Sequence, residues 1–534
     1  MIDRDAVFIS GNRKLIWQKY CGFLDLSLRQ FMEVQEDLLS QQLEQVSGSP
    51  LGKLIMKGQG PTPAEFRSVV PLTTYEDYKP YLSERNEDVL AEKPFCWMRT
   101  SGRGGEPKWI PWTWRGYQVV LNHVMTILLL ASAKTKGDVN IRPDMRVIAN
   151  MPPRPYTVGH LAFGAVQRFS LQAIPPLELA ERMDFHERIK EGFKMALGLG
   201  ADVAFSIASV LVKLGEGLSQ ESKGAKLSKS ILHPTVLFRL GRARVRAMLE
   251  KRTIMPKDLW PLKAILCGGT DAFIYREKVA HYWGSIPHEH FGCTEAGIPA
   301  TQTWNKKWMT FIPTLAFYEF IPEEEWLKSR IDNDYQPKTV LLDEVKEDMR
   351  YELVITQFYG MPLLRYRMGD LIKIVSLADD ETGVKLPQMV FVSRADDIID
   401  IGGFPRLDEK TIWQAITHVG LDYEDWSARK EYDEGEPILR LYLELKQDMN
   451  SKQVEHLIHE QLVSLSPDYK DMDRMLQIQP VRVILLPKGS FEHYTKERQK
   501  HGAELAHLKP RHINASDSEI NDLLYLSRQE GEGH

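Results

Sequence analysis

The sequence TSGRGGEPK, residues 100–108, says most about the fold and chemistry of this chain. It follows a short apolar run and combines three glycines with two hydroxyl side chains and a lysine. Glycines let backbone N–H groups wrap around an oxyanion, the hydroxyls donate further hydrogen bonds, and Lys108 adds positive charge. The segment therefore favours binding of a phosphate chain, although its spacing matches neither the P-loop nor the dinucleotide pattern. A glycine-rich turn alone is more often only a turn.

Two segments further along the chain combine an acidic residue with glycine. FGCTEAG (291–297) follows an apolar and aromatic stretch, and Glu295 offers the carboxylate oxygens that Mg²⁺ prefers. LRYRMGD (364–370) ends in Asp370, whose carboxylate can accept hydrogen bonds from both hydroxyls of a ribose. Taken singly, each segment is also consistent with an ordinary turn.

Three other segments are also candidates for a ligand site or a domain boundary. Apolar residues before Gly268 and Gly269 predict a strand that ends where a ligand can approach the backbone. SRADD (393–397) lies where the character of the sequence changes from one predicted domain to the next. Lys509 lies in AELAHLKPR (503–511), near the C-terminus.

The order of these segments resembles the ANL superfamily of adenylate-forming enzymes, which includes acyl-CoA synthetases, peptide-synthetase adenylation domains and luciferases. The resemblance extends from about residue 70 to about residue 515. Within the superfamily, the chain is most similar to the auxin-responsive acyl-acid amido synthetases of plants and their bacterial relatives. PLTTYEDY (71–78) resembles their N-terminal signature, and LPKGSF (486–491) with KPR (509–511) resembles their ending.

The resemblance implies ATP and Mg²⁺ as cofactors and assigns a role to each motif. The residues that would grip the pyrophosphate portion of ATP are Thr100, Ser101, Gly102, Gly104, Gly105 and Lys108. Thr294 would contact the α-phosphate, and Glu295 would bind Mg²⁺. Lys509 would bridge the acyl carboxylate and the α-phosphate, so that two anions can meet while pyrophosphate leaves.

The remaining roles concern the nucleoside of ATP. By the same resemblance, Gly268, Gly269 and Phe291 would border the adenine. Asp370 would hold the ribose, with Arg394 nearby.

Two further assignments concern the acid and the domain boundary. We expect the acid near residues 151–163, a proline-rich stretch that contains Tyr156 and His160. Asp396 corresponds to the hinge position of the superfamily. A C-terminal domain that closes about this hinge would keep water away from the reactive acyl-adenylate.

The sequence departs from the family pattern in several places. Arg103 stands where a second Thr or Ser is usual, and FGC (291–293) replaces a start led by tyrosine. His507 and Leu508 replace the Gln-Tyr pair that often precedes the late lysine. The hinge segment itself reads more like phenylacetate-CoA ligase. These departures leave the identities of the acid and of the acceptor open.

Hydrophobic patterning predicts an α/β protein with a large N-terminal domain and a small α+β C-terminal domain. The family resemblance implies that the first is a multi-sheet adenylation domain and that the second is mobile. Short apolar runs such as 264–267 and 353–356 alternate with helical stretches such as 185–199. An alternating strand at 439–445 belongs to the second unit. We expect domain bounds of 1–395, which bind ATP and the acid, and 396–534, which carry the late lysine.

Composition limits the classes of function. The 534 residues carry a net charge of −5 without long charged blocks, so we expect neither a nucleic-acid nor a membrane partner. Four cysteines without a CxxC pair, and an N-terminus without a signal-type apolar core, predict a cytoplasmic enzyme. The apolar stretch 119–133 is too short to span a bilayer and predicts a buried helix.

The sequence HEH (288–290) is a further pattern that resembles a metal site. Two histidines at this spacing lie on one side of a strand. They lack a convincing third ligand, so we predict no zinc site.

Three functions stay open at this point. The leading one is an amide-forming ligase that transfers the acyl group to an amino acid or other amine. The alternatives are a CoA ligase, which would use CoA as its acceptor, and a non-catalytic protein that binds ATP or an acyl group, suggested by Arg103 in the loop. The sequence does not determine the oligomeric state.

Overall fold

A computed structural model gives the structure of the protein. It describes residues 2–100, 108–149, 151–183, 185–221, 234–268, 272–331, 335–394, 398–401, 406–433, 436–466, 469–470, 479–500, 510–515 and 517–525. The chain divides into two compact units, Met1–Met368 with Ile372–Phe391, and Gly369–Leu371 with Val392–His534. The division along the chain therefore falls between Phe391 and Val392, against an expected boundary after residue 395.

Most of the strands belong to one large mixed sheet. In chain order the strands are β1 (Cys96–Arg99), β2 (Trp109–Trp112), β3 (Arg146–Ala149), β4 (Gln172–Ile174), β5 (Val203–Ile207), β6 (Ala264–Gly268), β7 (His288–Cys293), β8 (Gly297–Gln302), β9 (Met309–Phe311), β10 (Ala316–Pro322), β11 (Arg350–Gln357), β12 (Tyr366–Ser376) and β13 (Gln388–Arg394). Within the described residues, eleven of them form a sheet of order β10-β11-β12-β13-β9-β8-β7-β6-β5-β3-β4, and β1 and β2 form a separate hairpin. This sheet confirms the predicted α/β class.

The helices that accompany these strands come from nearly the whole length of the first unit. They are α1 (Ala6–Ile9), α2 (Arg13–Cys21), α3 (Leu28–Ser47), α4 (Pro50–Ile55), α5 (Pro63–Val69), α6 (Tyr75–Leu82), α7 (Trp114–Ser132), α8 (Thr157–Phe169), α9 (Leu177–Ala180), α10 (Phe185–Leu199), α11 (Ala208–Glu221), α12 (Pro234–Leu249), α13 (Pro256–Leu259), α14 (Ala272–Trp283) and α15 (Glu323–Ile331). Short 3₁₀ helices cover Gly22–Asp25 and Glu87–Val89. Helix α7 confirms the buried helix predicted from residues 119–133.

Helix α3 shows how polar residues enter the core. Its buried side includes Gln35 and Gln42, which an apolar pattern does not select. The Gln35 amide donates to the carbonyl oxygens of Pro313 (2.5 Å) and Ala316 (2.8 Å), so the buried polar group is satisfied.

The second unit is a small α+β fold. Its elements are β14 (Ile398–Asp400), β15 (Arg406–Asp408), α16 (Glu409–His418), β16 (Tyr423–Asp433), β17 (Glu436–Leu445), α17 (Ser451–Leu465), β18 (Val481–Leu486), α18 (Ser490–Lys500) and α19 (Asp517–Leu523). Strands β16 and β17 pair antiparallel, and β17 and β18 pair parallel. The strand predicted at 439–445 is confirmed as part of β17, whereas the sequence analysis missed β16, whose stretch is rich in charged residues.

None of the helices in the described ranges combines the length and the apolar character needed to cross a bilayer.

The buried histidine His123 predicts a loss of stability on acidification. Its ring nitrogens lie 2.9 Å from the Ile298 carbonyl oxygen and 2.8 Å from Thr314 Oγ1, and burial lowers its pKa to about 4. Because the unfolded chain titrates near 6.5, it binds more protons than the native state between these values. The stabilisation is complete above pH 6.5 and is lost as the pH falls towards 4. We expect Tm to fall by about 2 °C or more between pH 6.5 and pH 5.

Two variants check this assignment by thermal melts over the same pH range. His123→Gln should flatten part of the slope, because glutamine can keep hydrogen bonds in place without titrating. His281→Gln, at an exposed site on α14, should leave the slope unchanged. Equal slopes for all three proteins would contradict the role of His123.

Candidate active site

The carboxyl edge of the parallel part of the sheet collects several of the predicted motifs. Strands β3, β5, β6 and β7 run parallel, so their ends lie at one edge. Strand β3 ends at Ala149, before the predicted acid segment; β6 ends at Gly268, and β7 ends at Cys293, before Thr294. Ligands of open α/β sheets bind outside this edge.

The β1–β2 hairpin holds the two ends of the predicted phosphate loop. The Thr100 amide donates to the Lys108 carbonyl oxygen (2.9 Å), and the Lys108 amide donates to Thr100 Oγ1 (2.9 Å). The other residues assigned to the phosphates, Ser101, Gly102, Gly104 and Gly105, lie outside the described residues.

Lys108 joins three sequence motifs. Its ammonium donates a hydrogen bond to Tyr366 Oη (3.1 Å) and lies 5.3 Å from the ring centroid of Tyr75. Tyr75 belongs to the PLTTYEDY segment and Tyr366 to LRYRMGD. The structure therefore brings these two segments to the end of the phosphate loop, a contact that sequence analysis did not predict.

The arginines on either side of Tyr366 have structural partners. Arg365 forms a buried ion pair with Glu319 (2.8 Å), and the partly buried Arg367 pairs with Glu352 (2.6 Å). These pairs fix the start of β12, so Tyr366 is presented towards Lys108.

The turn between β7 and β8 presents Thr294 and Glu295. Its backbone is held by Trp112 Nε1, which donates to the Thr294 carbonyl oxygen (3.1 Å), and by the Gln357 amide, which donates to that of Glu295 (2.6 Å). Gly297 closes the turn with φ +65°, and a Cβ there would lie 2.4 Å from Val120 Cγ2. Only glycine fits this position.

Thr294 contacts the start of helix α8. Thr157 Oγ1 donates to Thr294 Oγ1 (2.8 Å), and Thr157 is the first residue of the helix. The N-cap residue, Tyr156, makes no capping hydrogen bond through its side chain. A helix N-terminus carries unpaired N–H groups and a partial positive charge, which favour an anion beside Thr294.

The Glu295 carboxylate lies near Tyr75, one of the two tyrosines beside Lys108. It makes no hydrogen bond to any described residue, and its charge acts on Tyr75. Burial raises the pKa of Tyr75, and the negative charge of Glu295 raises it further. No group of three or more His, Cys, Asp and Glu side chains suited to a metal occurs among the described residues. A single carboxylate fits Mg²⁺ that takes its other ligands from phosphates and water.

The assignments around the adenine are only partly covered by the structure. Phe291 is buried and stacks on Phe391, with ring centroids 5.8 Å apart. Gly268 ends β6, the strand beside Phe291. Gly269 lies outside the described residues, so the border of the adenine stays a prediction.

The remaining predicted site residues fall in the sequence ranges of the second unit. Asp370 lies on β12, is buried, and groups with the second unit. Arg394 ends β13, but its side chain is not among the described ones. Asp396 and Lys509 lie outside the described residues. Their assigned roles stay predictions.

The predicted acid pocket contains a cation that sequence analysis missed. The Arg99 amide donates to the Pro155 carbonyl oxygen (2.9 Å), and its guanidinium carbon lies 5.7 Å from the ring centroid of Tyr156. Arg99 Nε is buried without a hydrogen-bond partner in the described part of the chain. The signal in the sequence was its place directly before the phosphate loop.

His160 cannot supply positive charge in this region near neutral pH. Burial and the neighbouring Arg154 lower its pKa to about 4. Arg154 itself is held by Glu181 through two hydrogen bonds of 2.6 and 3.0 Å. Arg99 differs from Arg154 in that no carboxylate among the described residues neutralises it by an ion pair.

Comparison with known proteins gives three matches to one family. Models of the GH3 family N-terminal, central and C-terminal domains match residues 21–180, 309–394 and 409–518. A curated relative, "Jasmonoyl--L-amino acid synthetase GH3.5" of Oryza sativa subsp. japonica, is 24% identical over 290 residues, 50% of this chain and 48% of its own length. The match thus spans about half of that relative.

Solved structures show the same fold along nearly the whole chain. "AtGH3.15 acyl acid amido synthetase in complex with 2,4-DB" superposes with a TM-score of 0.69 at 18% identity, covering 96% of each chain. A 2-hydroxyisobutyryl-CoA ligase in the postadenylation state superposes with a TM-score of 0.60 at 13% identity, covering 98% of this chain and 93% of its own.

Proposed function

The chain belongs to the GH3 family, and we propose that it is an adenylate-forming ligase. It activates a carboxylic acid with ATP as an acyl-adenylate, releases pyrophosphate, and transfers the acyl group to an amine, which yields an amide. The relatives named above, one acting with L-amino acids by its name, support an amino acid as the acceptor.

One observation carries the proposal. Four separate segments converge at the carboxyl edge of the sheet: the phosphate-loop ends, the start of α8, the β7–β8 turn and the start of β12. The contacts that join them are Lys108 to Tyr366, Arg99 to Tyr156, and Thr157 to Thr294. Convergent cations, hydroxyls and one carboxylate without a hydrogen-bond partner among the described residues suit a reaction in which a phosphate and a carboxylate must approach each other.

Each described residue of the site has its own role in the adenylation step. Lys108, at the end of the phosphate loop, neutralises charge on the departing phosphates. The Thr294 hydroxyl accepts a hydrogen bond from Thr157 and donates its own hydrogen to the α-phosphate. Arg99 Nε donates to the carboxylate of the acid. Glu295 holds Mg²⁺, which when bound offsets negative charge on the phosphate oxygens.

The second half-reaction is the transfer of the acyl group to the amine, and it depends on the second unit. The amine nitrogen attacks the acyl carbon of the adenylate and forms the new C–N bond. The bond between this carbon and the bridging oxygen breaks, AMP leaves with that oxygen and the electron pair, and a base takes the amine proton. We assign Lys509 to adenylation and Asp396 to the hinge between the two half-reactions, as the family resemblance implies.

A substrate screen tests the proposal. The protein is mixed with ATP, Mg²⁺ and single aryl, alkyl or keto acids, and pyrophosphate release and hydroxamate formation with hydroxylamine are measured. Activity should require both acid and Mg²⁺. If no acid in the panel causes pyrophosphate release, the protein is not a ligase and only a binding function is left. Amino acids and CoA are then offered in parallel, and a thioester without an amide would overturn the choice of acceptor.

The contact between Thr157 and Thr294 gives a prediction of moderate size. Thr157→Val removes the donor that orients the Thr294 hydroxyl but keeps the shape of the side chain. We expect pyrophosphate release to fall about tenfold, equal to about 1.4 kcal/mol for one hydrogen bond. Thr417→Val, at an exposed position on α16, is the matched control. Equal activity in both variants would remove this hydrogen bond from the mechanism.

A further inference from the structure

Helix α12 carries bulky apolar side chains on the side that faces solvent. Its buried residues are Val236, Ala243 and Ala247. The large apolar residues exposed on it are Leu237 (48%), Phe238 (76%), Val245 (59%), Met248 (71%) and Leu249 (79%). Several of the largest apolar residues of this helix thus face water, whereas an ordinary surface helix turns such residues towards the core.

Arginines accompany these apolar side chains. Phe238, Arg242, Val245 and Leu249 follow one another at spacings of four, three and four residues, so they share one face of the helix. We call Leu237, Phe238, Arg242, Val245, Met248 and Leu249 the α12 face. The helix contains four arginines and no acidic residue, although Arg246 reaches Glu250, just beyond its end, at 3.4 Å.

A cationic cavity of about 590 Å³ opens beside this face. Its lining includes Arg146, Arg239, Arg242, Phe238, Trp260 and Asp202. Arg146 and Arg239 each use one guanidinium nitrogen on carbonyl oxygens at the end of α10. The Asp202 carboxylate accepts from the Arg146 backbone amide (2.9 Å).

The arginines that line the cavity carry more positive charge than its one acidic residue, Asp202, can neutralise. Arg146 Nε is buried and has no hydrogen-bond partner among the residues described. Burial lowers the pKa of Arg239, and the charges of Arg242 and Arg146 lower it further. An anion in the cavity would offset the repulsion among these arginines.

We propose that the α12 face and the arginine cavity together dock the protein on an anionic phospholipid bilayer. The apolar side chains enter the boundary between headgroups and acyl chains, and the arginines contact lipid phosphates. Basic helices with exposed large apolar residues bind membrane surfaces in this way.

Two other occupants fit less well. A second copy of the chain would place four arginines of one α12 against four of the other, which repel. An acidic protein would satisfy the charges, but it would not by itself account for an arginine-lined cavity beside the apolar side chains. The net charge of −5 led us to expect no membrane partner, but association depends on the local charge of the docking face.

Vesicle co-sedimentation tests the proposal on the full chain. Vesicles of phosphatidylcholine alone are compared with vesicles that also contain phosphatidylglycerol, at low and high salt. We expect binding to the anionic vesicles to be at least ~10-fold stronger and to weaken in high salt. This measurement is independent of adenylation.

Matched variants assign the binding to α12. Phe238→Ser combined with Leu249→Ser should abolish binding, as should Arg242→Glu alone. The controls are Leu15→Ser on α2, where the leucine is 49% exposed, and Arg29→Glu on α3, whose side chain is 89% exposed. Thermal melts verify that each variant is folded.

Several outcomes would overturn the proposal. These are absence of binding to anionic vesicles, equal binding to neutral ones, or full binding by the α12 variants. An acidic amphipathic peptide serves as a further probe. If the peptide binds in an α12-dependent manner and the vesicles do not, the face belongs to a protein partner instead.

Discussion

Replacing Glu295 by glutamine is expected to lower acid-dependent pyrophosphate release by about 10²–10³-fold, the loss seen when one preorganised charged contact is removed from a reacting site. The substitution preserves the size of the side chain and removes its charge. The turn should keep its conformation, because it is held through the backbone carbonyl oxygen of Glu295, which accepts from Gln357, and through Trp112. The measurement is the initial rate of pyrophosphate release as a function of Mg²⁺ concentration.

The Mg²⁺ dependence distinguishes a metal ligand from a structural residue. Loss of a ligand should shift the half-saturating Mg²⁺ concentration upwards as well as lower the rate. Glu277→Gln, an exposed carboxylate on α14, is the control and should behave as the unmodified protein. A Glu295→Gln variant with an unchanged rate at limiting Mg²⁺ would place Glu295 outside the site.

Replacing Lys509 by alanine is expected to separate the two half-reactions. Formation of acyl-AMP should fall by about 10²-fold or more, because one cation that bridges two anions is lost in the transition state. Transfer from synthetic acyl-AMP to the acceptor should change much less. Lys470→Ala, at an exposed lysine of the second unit, serves as the control.

Asp396→Pro is the complementary variant. Proline fixes φ and would trap the hinge in one conformation. Acyl-AMP should still form, but transfer should stall. Both variants are assayed from acid plus ATP and from synthetic acyl-AMP. Loss of the same half-reaction to the same degree in both would refute alternation between two poses.

Much of the fold could be predicted because its signals are local. Helix α10 has the bounds, Phe185–Leu199, that the sequence predicted, and β17 contains the alternating run at 439–445. Strand β16 was missed because charged side chains interrupt its pattern, while its pairing with β17 supplies the stabilisation.

The candidate site was predicted as a set of motifs but not as an arrangement. Glycine-rich and acidic segments are recognisable one at a time, because each needs particular residue types at short spacing. Arg99 and Thr157 were missed because neither belongs to a pattern of its own. Their roles arise from contacts with Tyr156 and Thr294, the second of which is 137 residues away in the chain.

The sequence by itself determined the α/β class, the order of the motifs and the family resemblance, since these depend on periodicity and spacing along the chain. Only the tertiary structure decided that Lys108 meets Tyr75 and Tyr366, and that the charge of Glu295 acts on Tyr75. It also decided that α12 buries its alanines and exposes Phe238 and Leu249. The physical reason is that a side chain's partners are set by which strands and helices pack together, and residues far apart in the sequence supply those partners.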